Sequence, residues 1–169
     1  MFSNCRNVPK FELENFDTSK ITDMSYLFQN CEQATVINIK SFDTSNVLDM
    51  YYMFSGCGAI TSLDLTNFVT DKVSDMCHMF EQCKMLRNLD LSKFDTNQFL
   101  DMGYMFSRCS FLENISLNNK FDTSQVTDMS YMFSFCQKLK NIDLYSFNTE
   151  KVINMTSMFS SCNNLESLD

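Results

Sequence analysis

Positive charge is scarce in this chain: 13 Lys and Arg stand against 21 Asp and Glu, for a net charge of -8. Phosphate backbones and anionic headgroups are held by clustered cations, so the deficit excludes nucleic acid and an acidic membrane surface as partners. Long apolar runs are missing too. Nothing approaches the roughly 18 residues that cross a bilayer, which excludes direct membrane insertion. The opening MFSNCRNVPK has no basic segment followed by an apolar one and reads as carrying no signal peptide. Three Gly, one Pro, one His and no Trp make a narrow alphabet, while 17 Phe and 13 Met dominate the apolar side. A core drawn from so few residue types points to a repeated sequence rather than a mixed-core domain.

The repeat is legible at once. FDTSNVLDMYYMFSGC at 42–57 has counterparts in FDTSKITDMSYLFQNC, FDTNQFLDMGYMFSRC and FDTSQVTDMSYMFSFC. Counted from Phe16, Phe42, Phe68, Phe94, Phe121 and Phe147, the steps are 26, 26, 26, 27 and 26. Thr18, Thr44, Thr70, Thr96, Thr123 and Thr149 hold one phase, and Cys5, Cys31, Cys57, Cys83, Cys109, Cys136 and Cys162 another. The chain therefore divides into a partial repeat 1–15, repeats 16–41, 42–67, 68–93, 94–120 and 121–146, and a truncated repeat 147–169. One domain of 1–169 is expected, a fragment of a longer protein.

Within a repeat, Val47, Met50, Met53, Phe54, Cys57 and Ile60 step by three or four, which predicts a short helix or 3-10 turn with Asp49 as its cap. Leu63-Asp64-Leu65 alternates and predicts a short strand. One unit cannot bury its own apolar face, but stacked units can. The fold expected is a repeat solenoid: a right-handed, leucine-rich-repeat-like parallel β-solenoid with one short strand and one short helical or 3-10 segment per 26-residue repeat.

The pattern F-D-T-S-x-V-x-D-M-x-x-M-F-x-x-C-x-x-L-x-x-L-D-L resembles the BspA-like leucine-rich repeat of Mycoplasma-type surface lipoproteins. The resemblance implies a solenoid at the cell surface or outside the cell, with adhesion or binding of a host extracellular protein as its role and no catalytic residues. An export signal, a lipobox and a wall anchor, usual in that family, are not visible in this chain.

Seven cysteines share one phase, and a straight file with one thiol per coil cannot pair completely or surround a metal. A reduced, buried ladder is expected. Cys77, beside His78, is out of phase; a nucleophile reading is set against a variable surface-side position, and the latter is preferred. Acid columns recur at the turn (Asp17, Asp43, Asp95, Asp122), at the cap (Asp23, Asp49, Asp75, Asp101, Asp128) and on the strand (Glu12, Asp64, Asp90, Asp143, Asp169). Calcium is the cation such oxygens suit, but capping and solvation account for them, and no cofactor or metal is expected. The threonines are read as closing turns onto their own backbone.

Columns that vary are free to specify a partner. The candidate binding face is the outward side of the strands: Glu12, Asn38, Lys40, Asp64, Thr66, Asn88, Asp90, Ser116, Asp143 and Tyr145, with Asn118 beside them. A second candidate is the aromatic file Tyr26, Tyr52, His78, Tyr104 and Tyr131. The leading reading is a non-enzymatic protein-binding module whose acidic strip suits basic partner segments. Its rival is an assembly scaffold, inside the cell, that self-associates end to end.

Overall fold

The computed structural model describes residues 1–117 and 121–168; Asn118 and Asp169 lie outside the described residues. The strands are short: β1 (Lys10–Glu12), β2 (Val36–Asn38), β3 (Asn88–Asp90), β4 (Asn114–Ser116), β5 (Asn141–Ile142) and β6 (Ser167–Leu168). All pairings are parallel and in repeat register, with Lys10 opposite Val36, Asn88 opposite Asn114 and Asn141 opposite Ser167. Equivalent positions one repeat apart thus fall side by side, as a coil of stacked repeats requires.

The sheet is not continuous. It consists of three two-stranded patches, β1-β2, β3-β4 and β5-β6. The strand expected at Leu63-Asp64-Leu65 does not form. Its wording matches Leu89-Asp90-Leu91, of which Leu89-Asp90 lies in β3, so local pattern does not explain the difference. Pairing needs a neighbour within hydrogen-bonding distance, and that belongs to two coils rather than to one. Among the described residues, no backbone hydrogen bond joins 59–66 to β2, and none joins 110–117 to 137–144.

The expected helical segment is corrected as well: no helix or 3-10 turn forms among the described residues. Each coil instead folds through linked turns in which backbone N–H groups donate to the carbonyl three residues back, as Leu27 does to Met24 and Cys31 to Phe28. The intervening N–H groups point along the stack to the next coil. Met24, Tyr26, Phe28 and Asn30 donate to Asp49, Tyr51, Met53 and Ser55 of the next coil, at 2.7–2.9 Å. The backbone reason is positive φ at two residues per coil. One column runs Tyr26 (59°), Tyr52 (56°), His78 (60°), Tyr104 (57°), Tyr131 (56°); the other runs Asn30 (56°), Gly56 (76°), Gln82 (60°), Arg108 (64°), Phe135 (61°). A left-handed residue every fourth position interrupts any α-helix. The three-and-four spacing survives because successive three-residue closures also bring every third or fourth side chain inward.

The core is built of columns. Phe28, Phe54, Phe80, Phe106, Phe133 and Phe159 stack face to face with centroids 5.3–5.8 Å apart. Met50, Met76, Met102 and Met129 are fully buried beside them. The cap column forms an unbroken ladder: Asp23, Asp49, Asp75, Asp101, Asp128 and Asn154 are joined by single parallel bridges.

Candidate interaction surface

The three acid columns share one local device. In each, a carboxylate oxygen accepts the backbone N–H two residues on, as Asp17 does from Ser19, Asp49 from Tyr51 and Asp90 from Ser92, at 2.8–3.0 Å. These are Asx turns. Asp49 therefore caps a turn, not a helix. On the strand face the hydroxyl and N–H of Thr66 hold the Asp64 carboxyl below the ordinary carboxylate range, and Ser92 does the same for Asp90. Burial pushes Asp75 the other way. Among the described residues no three His, Cys, Asp or Glu side chains gather as a metal site would require.

The threonines act across coils rather than within their own turn. Thr44 Oγ1 donates to the Val69 carbonyl at 2.9 Å and accepts the Val69 N–H at 2.8 Å. Thr18, Thr70 and Thr123 repeat the double bond with Asp43, Asp95 and Asn148. Each hydroxyl inserts into a place where two backbones would otherwise leave a donor and an acceptor unmet.

All eight cysteines are free thiols. Their column has a bonding reason as well as a packing one. Cys57 Sγ donates to the Phe28 carbonyl at 3.2 Å, Cys83 to Phe54 at 3.2 Å, Cys109 to Phe80 at 3.1 Å and Cys136 to Phe106 at 3.2 Å. Burial raises the thiols of Cys83, Cys109 and Cys136, Cys83 to about 12, and the neighbouring Cys31 together with burial raises that of Cys57. Cys77 is not on the surface side: it is buried, and its thiol donates to the Gly103 carbonyl at 3.0 Å. His78 is tied to Glu81 at 2.8 Å. Thiol and imidazole thus serve separate partners.

On the strand face, Glu12, Lys40, Asp64, Thr66, Asn88, Asp90, Ser116, Asp143 and Tyr145 are exposed and Asn38 is half-buried. The structure joins some of them in register. Asn38 Nδ2 bridges Glu12 and Glu14 at 3.0 and 2.8 Å, Asn114 reaches Asn88 at 2.9 Å, and Lys40 lies 3.7 Å from Asp64. Tyr145 stands apart at 95% exposure. In the aromatic file the rings are near-parallel, with centroids 4.2–5.4 Å apart from Tyr26 through Tyr52, His78 and Tyr104 to Tyr131. Within the file Tyr52, His78 and Tyr104 are covered on both faces, while Tyr26 at its end is 43% exposed. The file reads as a support for its own left-handed backbone rather than as a stacking platform.

Two clefts open where the strand ladder breaks. One of about 310 Å³ lies between β2 and residues 62–64. The larger, about 750 Å³, is lined by Arg87, Phe111, Glu113 and Asn114 on one side and by Lys138, Lys140 and Asn141 on the other. Arg87, Phe111, Lys138 and Lys140 were not among the sequence candidates. A count of charge by coil, rather than over the whole chain, would have found the three cations.

The family described as "Mycoplasma protein of unknown function, DUF285" matches residues 1–118 and 87–168. The chain belongs to this family. Its repeat is the BspA-like leucine-rich one that the sequence pattern resembles. Among solved structures, this DUF285 chain is similar to a leucine-rich cell surface protein from Faecalibacterium prausnitzii, at 21% identity and a TM-score of 0.56, over 85% of this chain and 35% of that one. It is also similar to a leucine-rich-repeat protein from Bacteroides ovatus, at 20% identity and a TM-score of 0.33, over 98% and 56%. The DUF285 chain thus spans about a third of the first and just over half of the second. The Faecalibacterium likeness shows a leucine-rich-repeat fold. No curated protein matches the chain.

Proposed function

We propose that the chain is a non-enzymatic protein-binding module, displayed at a cell surface, that adheres to a partner protein along its strand face. The observation that carries this is the division of labour among columns. Thr, Cys, Met, Phe and the cap acids are consumed by bonds and packing between coils, whereas the outward strand side chains vary, are exposed and have little core role. An extended face of this kind suits multivalent contact, since each coil adds a weak contact next to the last. The leucine-rich fold and the surface description of the Faecalibacterium protein support the location. The reading includes a right-handed coil, the sense that parallel crossovers adopt. Groups able to do nucleophilic chemistry are engaged: Cys77 by Gly103 and His78 by Glu81.

The test is binding of the labelled chain to host cells and to immobilised extracellular proteins. A strand-face variant, Asp64→Asn/Asp90→Asn/Asp143→Asn, which removes three charges but keeps the turn acceptors, should weaken binding by about tenfold or more with little change in melting temperature. A variant on the other turn, Lys72→Glu/Lys151→Glu, should bind normally. No binding by the parent chain, or equal binding by both variants, would overturn the reading.

A further inference from the structure

Charge is unevenly spread along the solenoid. The turn that leads from the cysteine into the strand carries Lys84 and Arg87 in one coil and Lys138 and Lys140 two coils on, with Arg108 just ahead of Cys109 between them: five of the chain's 13 cations. All five are exposed. The carboxylates facing them there are Glu113 and Glu166, so the ridge is +3 (five less two) on a chain of -8. Two of the cations are held flat. The Arg87 guanidinium sits 5.7 Å over the Phe111 ring and 3.1 Å from Glu113, and that of Arg108 sits 5.3 Å over Phe135. Lys138 and Lys140 make no ion pair among the described residues.

The ridge borders the 750 Å³ cleft at the β4–β5 break. The two breaks differ. At the smaller one a Lys40–Asp64 ion pair of 3.7 Å crosses from coil to coil. At the larger one no backbone hydrogen bond or ion pair among the described residues joins 110–117 to 137–144. Glu113 and Asn114 donate backbone N–H groups to Arg87, but their counterparts Lys140 and Asn141 make no such bond to the coil before them.

We infer that this basic ridge and its cleft form the docking site for a short acidic segment of the partner protein, a run of Asp and Glu in extended conformation. The inference rests on the reading of the chain as a protein-binding module, and it assigns part of that binding to a face of opposite sign from the acidic strip. Size argues for a peptide over a long polyanion. Three coils at about 4.8 Å cover roughly 10–15 Å, the reach of three to five extended residues. Beyond them Asp90, Asp143 and Asp64 would repel a continuing phosphate or sulfate chain. The unbonded backbone at the break supplies partners that a peptide main chain can use.

The experiment is fluorescence polarisation with a fluorescein-labelled peptide bearing four consecutive Glu, against the same peptide with four Gln, at low salt. The Glu peptide should bind about tenfold more tightly than the Gln peptide and weaken as salt rises. Lys138→Glu/Lys140→Glu should lose about tenfold, and Lys138→Gln/Lys140→Gln should lose binding without charge reversal. Lys72→Glu/Lys151→Glu should stay within about twofold. Equal binding of both peptides, or full binding by either lysine variant, would overturn the proposal. So would heparin binding through these lysines while the Glu peptide fails. If the Glu peptide fails while strand-face substitutions still abolish cell binding, the ridge falls and the binding-module reading stands.

Discussion

The repeated Thr and Cys side chains of the inner coils are fixed by bonds they make to the neighbouring coil. Thr44 is the clearest case, because one hydroxyl meets both the N–H and the carbonyl of Val69. Thr44→Val keeps the shape and strands both groups in a buried place. The expected loss is about 2–3 kcal/mol by urea denaturation, against about 1 kcal/mol or less for an exposed Thr such as Thr127. The cysteines behave alike. With the thiol of Cys83 raised from an ordinary 9.0 to about 12, the unfolded chain releases its proton before the folded one. The stability contribution is therefore complete below pH 9 and is lost as pH climbs from 9 towards 12, at about 1.4 kcal/mol per pH unit for one thiol. Alkaline titration followed by circular dichroism should show steep unfolding above pH 9, and Cys83→Ala should make it shallower. A thiol count on protein purified without reductant should find all eight, most of them reactive only after denaturation.

The turn segment was misread as helical because two different structures share one spacing. Met50, Met53, Phe54 and Cys57 step by three and four in a helix and also in a series of three-residue closures. Most of the left-handed residues that separate the two are Tyr, Gln, Arg and Phe, which give no warning, whereas Asn30 and Gly56, with φ of 56° and 76°, carry the usual mark. A Cβ at Gly56 would meet Asn30 Oδ1 at 2.5 Å. Gly56→Val combines that crowding with a β-branched side chain in the left-handed region. It should cost about 2 kcal/mol or more in thermal or urea unfolding, with Gly56→Asn costing less. The acid columns illustrate the opposite case. Asp in a turn two residues ahead of a free N–H is a local arrangement, and it was legible as capping, although the cap closes a turn instead of a helix.

For the whole molecule, the repeat predicted one uninterrupted ladder of strands, and the coil shows two interruptions. Hydrogen exchange followed by NMR should find the amides of Lys140 and Asn141 exchanging faster than those of Glu113 and Asn114, which donate to Arg87. Equal protection at all four would show that the β4–β5 ladder closes in solution. The larger break follows the single 27-residue step, from Phe94 to Phe121; the smaller one has no such mark in the sequence. The sequence by itself determined the period, the columns, the parallel stacking and the buried Phe, Met and Cys, because each of these depends on a residue stacking on its own copy one repeat away. Tertiary structure alone decided where strands pair, which turns replace the helix, that Cys77 is inside, and that Arg87, Lys138 and Lys140 share a cleft. Those are relations between coils whose side chains differ, and a repeat, however regular, records only what its copies have in common.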